Sequence, residues 1–174
     1  KDIDGNLYTK DGKKLVQYAI GKTDTSFIIP DSVTSIGDWA FCGCSSLTSV
    51  VIPDSVTSIG SEAFRSCSSL ESVVIPDSVT SIGSYAFRDC SKLQFNEYEN
   101  CKYLGSKDNP YYALIEVTAQ NLSSYTIHEN TKVIADRAFA SCTGLTSIEI
   151  PDSVTSIGSY AFDRCTGLTS VVIG

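Results

Sequence analysis

The 174-residue chain contains no methionine, one histidine and one tryptophan. With His128 as the only imidazole, and no G-x-S-x-G elbow, H-E-x-x-H pair or phosphate loop, no active site is expected and no cofactor either. The cysteines include no C-x-x-C pair, which with the lone histidine counts against zinc. No apolar run approaches the roughly 20 residues that span a bilayer, so this segment is not expected to cross a membrane. Thirteen Lys and Arg against 20 Asp and Glu leave a formal charge of -7. No broad basic face is expected of such a chain, and no nucleic-acid partner. The 42% hydrophobic content still marks a folded chain rather than a disordered tail. Because it starts at Lys1 without methionine and stops at Val171-Val172-Ile173-Gly174 in mid-phrase, the segment is expected to belong to a longer array.

What is present is a repeat, the first thing to look for in such a chain. Pro-Asp-Ser-Val-Thr-Ser-Ile-Gly occurs at Pro30, Pro53, Pro76 and Pro151, the first three 23 residues apart. A worn copy begins at His128, 23 before Pro151. Each copy runs on into Ala-Phe, at Ala40-Phe41, Ala63-Phe64, Ala86-Phe87, Ala138-Phe139 and Ala161-Phe162. A cysteine follows three residues after the phenylalanine (Cys44, Cys67, Cys90, Cys142, Cys165), then a leucine (Leu47, Leu70, Leu93, Leu145, Leu168).

The phrase has a physical reading. In Leu47-x-x-Val50-x-Ile52, alternation predicts a short strand with Val50 and Ile52 inward and Val51 outward. Pro53 ends it, having no N–H for the ladder, and Asp54-Ser55 turn the chain. Val56, Ile59, Ala63, Phe64 and Cys67 return to the core, with Gly60 easing a turn. No copy can bury this set alone, so copies must stack with like residues in columns ~4.8 Å apart. The fold expected is a mostly β repeat solenoid of α/β type. One wall is a parallel sheet of short strands, and the other is made of turns, short strands or 3₁₀ pieces. The expected organisation is a single domain over 1–174. Leu7 to Val16, with Asp11-Gly12 as hairpin turn, forms an N-terminal cap within 1–23. Repeats fill 24–97 and 122–174. Between them, 98–121 is a Tyr-rich inserted hairpin that protrudes, after which Leu122-x-x-Tyr125-x-Ile127 restores the strand register.

The phrase I-P-D-S-V-T-S-I-G-x-x-A-F-x-x-C-x-x-L-x-S-V resembles the BspA-like branch of leucine-rich repeats, with matching units over about 24–97 and 122–174. That resemblance implies an extracellular or cell-surface protein of a host-associated microbe, acting in protein binding and adhesion. It also implies that the sheet is the docking wall and that the partner is a host matrix protein or another cell-surface protein.

Candidate binding residues fall in two sets. The residue before each alanine, Trp39, Glu62, Tyr85, Arg137 and Tyr160, varies freely in chemistry and is expected to be exposed. On the sheet, Thr48, Glu71, Thr146, Glu149 and Thr169 face outward beside Val51, Val74 and Val172. The five repeat cysteines read as a buried column of small side chains rather than a disulfide or metal framework. Asp31, Asp54, Asp77 and Asp152 read as turn residues rather than a calcium ladder, and His128 as a tolerated replacement of the repeat proline. The function expected is a non-catalytic adhesion module, with a passive spacer that holds out another domain as the alternative.

Overall fold

The computed structural model describes all 174 residues and contains strands and turns but no helix, so the α/β label overstates the helical side. The chain divides into two units, residues 1–94 and 95–174.

In the first unit the strands are β1 (Asp2–Ile3), β2 (Asn6–Tyr8), β3 (Lys14–Gln17), β4 (Ser26–Ile28), β5 (Ser35–Ile36), β6 (Ser49–Val51), β7 (Ser58–Ile59), β8 (Ser72–Val73) and β9 (Ser81–Ile82). They form two sheets. One runs β1-β2-β3-β5-β7-β9, antiparallel through β3 and parallel beyond it, while β4, β6 and β8 form a parallel three-stranded sheet. Partners such as Ser49 and Ser72, or Ile36 and Ile59, stand 23 residues apart, so the repeat period is the stacking period. Val50 and Ile52 are buried and Val51 is exposed, as alternation predicts. The expected short strands of the second wall are the Ser-Ile pairs.

The second unit is built to the same plan. Its strands are β10 (Asn96–Tyr98), β11 (Cys101–Leu104), β12 (Ala113–Val117), β13 (Val133–Ile134), β14 (Ser147–Ile150), β15 (Ser156–Ile157) and β16 (Ser170–Ile173). The sheet β10-β11-β12-β13-β15 turns from antiparallel to parallel at β12, as the first unit's does at β3, and β14 pairs β16 in parallel. Each unit thus opens with a three-stranded meander. Its first connection holds two successive residues at positive φ, Asp4 and Gly5 in one and Glu99 and Asn100 in the other, the backbone that lets a two-residue hairpin follow the strand twist.

The Tyr-rich segment therefore does not protrude. Cys101, Tyr103, Leu104, Ala113 and Leu114 are buried, and the segment supplies the second unit's opening layer. Tyr125 and Ile127 point inward as the register predicts, although no strand forms there, and Thr146 N–H bonds Ser123 O at 3.0 Å.

Columns of like residues make the core. Phe41, Phe64 and Phe87 stack nearly parallel with ring centroids 4.8 and 5.2 Å apart, headed by Tyr18 at 5.4 Å. Phe139 and Phe162 stack at 5.1 Å in the second unit. Such pairs contribute about 0.5–1.5 kcal/mol each beyond burial. The repeat glycine proves necessary for a different reason than a turn. Its φ is not positive, but a Cβ on Gly60 would lie 2.5 Å from the Asp38 backbone nitrogen of the preceding coil. Gly83 and Gly158 meet Ser61 and Asp136 in the same way.

One residue breaks the pattern. Thr131 takes the place of Val33, Val56, Val79 and Val154. It is fully buried, and its hydroxyl has no hydrogen-bond partner, with the Tyr103 phenol the polar group beside it.

Two outcomes are expected. Thr131→Val removes an unpaired buried hydroxyl at constant shape and should raise unfolding free energy by about 1–2 kcal/mol in urea titration. Gly60→Ala forces one coil off the next and should cost about 2 kcal/mol or more by the same measurement. An unchanged urea midpoint for either variant would contradict the packing described.

Candidate functional site

Beside the Ser-Ile strands, each coil carries the expected turns, with neither 3₁₀ helix nor strand over the segment around the Ala-Phe pair. The residue before each alanine has a left-handed backbone: Trp39, Glu62, Tyr85, Arg137 and Tyr160 have φ between 53° and 59°. Four residues on, Gly43, Ser66, Asp89, Ser141 and Arg164 do the same. Each non-glycine excursion costs roughly 1–2 kcal/mol, and hydrogen bonding offsets it. Trp39, Phe41 and Gly43 N–H groups donate to Ser61, Ala63 and Arg65 of the next coil at 2.7–3.0 Å. Their alternates Ala40, Cys42 and Cys44 donate within the coil, to Gly37, Trp39 and Phe41. The alternation satisfies successive backbone groups and turns the variable side chain out of the core.

Trp39, Tyr85 and Tyr160 are exposed, whereas Glu62 and Arg137 are half-buried because each is paired. Glu62 holds Arg65 at 2.5 Å. Arg137 reaches Asp163 of the next coil at 2.8 Å and lies 5.1 Å from the Tyr160 ring centroid. Arg88 sits 5.2 Å from the Tyr85 ring centroid. These arginines, at i+3 from the variable position in the first unit, were visible in the sequence only as a spacing.

On the sheet, Thr146 and Thr169 are exposed and Thr48 is half-buried. Thr48, Thr146 and Thr169 hydroxyls donate to Thr25, Ser123 and Thr146 carbonyls at 2.9, 3.2 and 3.1 Å. These hydroxyls are part of the ladder, while Glu71 and Glu149 extend freely as exposed side chains. A residue the sequence reading did not single out joins them. Ile28, 23 before Val51 and paired with it in β4–β6, completes an outward aliphatic row of Ile28, Val51 and Val74, exposed by 71, 52 and 54%.

The two units place Trp39, Glu62, Tyr85, Thr48 and Glu71 in the first and Arg137, Tyr160, Thr146, Glu149 and Thr169 in the second. Within the first unit, the variable column and the threonine–glutamate row lie on different walls.

The repeat cysteines are free thiols and more than filler. Cys67, Cys90 and Cys165 Sγ donate to Phe41, Phe64 and Phe139 carbonyls one coil back at 3.0, 3.0 and 3.1 Å. Burial pushes the Cys44 and Cys101 thiols up to about 11. The neighbouring Cys90 and burial raise Cys67 as well. No group of three His, Cys, Asp or Glu side chains is arranged to hold a metal ion. Pro53 O accepts the Val56 N–H at 3.0 Å, and the Pro30, Pro76 and Pro151 carbonyls repeat the bond, so the aspartates sit inside closed turns. His128 is no neutral replacement. Its ring stacks on Tyr111 at 3.9 Å and meets Tyr98 edge-on at 4.9 Å, and Nδ1 accepts the Asn130 N–H.

With this geometry in place, a sequence profile described as BspA type Leucine rich repeat region matches six copies over residues 18–108 and 112–174. The chain belongs to the BspA-type leucine-rich repeat family. No curated protein sequence matches it. Among solved structures it is similar to the T. pallidum leucine-rich repeat protein TpLRR, at 26% identity over 95% of this chain and 66% of that one, with a TM-score of 0.52. A Bacteroides ovatus leucine-rich repeat protein matches at 26% identity over 95% of this chain and 50% of that one, TM-score 0.50. One from Eubacterium ventriosum, at 24% identity over 91% of this chain and 48% of that one, TM-score 0.53, shares the fold. The BspA-type chain spans about half to two-thirds of the length of these structures.

The thiols make a direct test. With iodoacetamide near neutral pH, Cys42, half-buried and outside the column, should label first, and Cys67 and Cys90 at least roughly tenfold more slowly, released only by opening. The alkaline side follows from the raised values of Cys44 and Cys101. The unfolded chain ionises these thiols at their ordinary value while the folded chain keeps them protonated to about 11. Stability is thus intact below the ordinary thiol value and lost as pH rises toward 11. Melting temperature should fall across that window, and a flat profile there would contradict the burial.

Proposed function

We propose that the chain is a non-catalytic, protein-binding adhesion module of a secreted or cell-surface microbial protein. Its ligand, a host matrix protein or another cell-surface protein, docks on the outward sheet face that carries Thr48, Val51, Glu71 and Val74. The observation that carries this reading is the row Ile28, Val51 and Val74, three aliphatic side chains more than half exposed in adjacent, paired rungs. Scattered exposed apolar residues are ordinary, but a contiguous row rimmed by polar side chains is the composition of a docking surface. Glu71 at its rim supplies the charge that would orient a partner. Glu149 and Thr169 offer a related but more polar face in the second unit. Membership of a repeat family supports a binding role over an enzymatic one.

A passive spacer is favoured by a different observation. The Thr48 hydroxyl of the same face spends its proton on Thr25 O of the neighbouring coil, and Thr146 and Thr169 do likewise in the second unit, which leaves them only as acceptors toward a ligand. The two readings part in one experiment. The double variant Val51→Asp, Val74→Asp changes only exposed positions and should leave circular dichroism unchanged. In biolayer interferometry on immobilised extracellular-matrix proteins it should lower retention by about tenfold, the size of a lost interface anchor. No retention of the unaltered chain at micromolar concentration would leave the spacer, and equal retention of both would rule out the Ile28, Val51 and Val74 row as the docking face.

A further inference from the structure

On the wall of turns in the first unit, Trp39 and Tyr85 share one column with Glu62 between them. Neither core packing nor the sheet face uses them. The phenylalanines two residues on step by 4.8 and 5.2 Å from coil to coil. The two aromatic positions therefore stand about 10 Å apart along the stack, in line with strand spacing. Both are held on left-handed backbone that directs the side chain away from the core, and they are 54 and 44% exposed. Between them the Glu62–Arg65 pair, at 2.5 Å, presents a carboxylate and a guanidinium. Arg88 lies against the Tyr85 ring, 5.2 Å from its centroid, which restrains that ring's orientation.

Two exposed aromatics with hydrogen-bonding charges between them suit a ligand that alternates flat apolar faces with hydroxyl edges. The spacing selects among such ligands. An extended peptide repeats the same side every two residues, about 6.8 Å, which fits neither one coil nor two. An extended β1→4-linked hexose chain advances by nearly one coil per ring, so every second ring meets every second coil. An α-linked chain coils away from that line. We propose that the Trp39–Glu62–Tyr85 column binds an extended β1→4-linked glycan running along the stack. Alternate rings pack on Trp39 and Tyr85, and the hydroxyls of the ring between bond Glu62 and Arg65. The site lies off the sheet face, so it stands or falls independently of the protein-docking reading.

The chain's single tryptophan reports on this site directly. Trp39 emission is followed while the full chain is titrated with cellohexaose. A saturable change is expected, with cellobiose, too short to bridge two coils, binding at least about tenfold more weakly and maltohexaose giving no change. Tyr85→Asn, a residue tolerant of left-handed backbone, should weaken cellohexaose binding by about tenfold while the melting temperature stays put. Emission unmoved by cellohexaose up to about 10 mM overturns the proposal. So does equal affinity for maltohexaose, or a Tyr85→Asn variant that binds as the unaltered chain does. A response to an immobilised matrix protein but to no glycan would assign the column to protein instead.

Discussion

Everything in each unit depends on coils lying one strand spacing apart in strict register. At that distance a backbone carbonyl can serve two masters. Phe41 O accepts the Cys44 N–H of its own turn and the Cys67 thiol of the next coil, and Thr48 O accepts the Glu71 N–H in the same manner as Thr25 O accepts that of Thr48. The register that aligns these bonds also aligns the side chains, so phenylalanine must stand on phenylalanine and glycine beneath backbone. A single coil has neither the apolar area nor the hydrogen-bond partners to hold its shape, and regularity is the condition of folding rather than a result of it.

That condition leaves the first coil of any stack with a bare inner edge, and each unit resolves it alike. A three-stranded antiparallel meander comes first, and its last strand, β3 or β12, offers the parallel edge on which the repeats build. The likeness extends to an aromatic at the matching place in the early coil. Phe27 leans on Phe41 at 5.9 Å and Tyr125 on Phe139 at 5.4 Å, both steeply inclined. His128, in place of the repeat proline, is explained here too, since the ring it brings packs among the meander tyrosines Tyr98 and Tyr111.

The periodic parts of this architecture were legible because the sequence repeats them. The columns through Phe41, Cys44, Leu47 and Val50, the outward turn of Val51 and the strand end ahead of Pro53 all follow from the 23-residue offset. Three things were not legible. The strands Asp2–Ile3 and Asn96–Tyr98 are too short and too exposed to leave an alternation pattern. The left-handed backbone at Trp39, Tyr85 and Arg137 is invisible because none of these residue types favours it; the neighbouring coil imposes it. The glycine's role depends on an approach between coils that local turn rules do not consider. Of the candidate site, exposure at Trp39, Tyr85, Tyr160, Glu71 and Glu149 was readable from variability and alternation. The commitment of Thr48, Thr146 and Thr169 to the ladder, and the contribution of Ile28, needed coordinates.

The left-handed residue ahead of each alanine has a consequence for how such a surface can diversify. At Trp39, Glu62 and Arg137 its backbone N–H joins the inter-coil ladder, an atom that every amino acid except proline possesses, and its side chain turns out of the core. Tryptophan, glutamate, tyrosine and arginine bear the same conformational strain there, so exchanging one for another changes recognition while leaving folding nearly indifferent. Once in every 23 residues the scaffold holds a site where chemistry can be rewritten without renegotiating the fold.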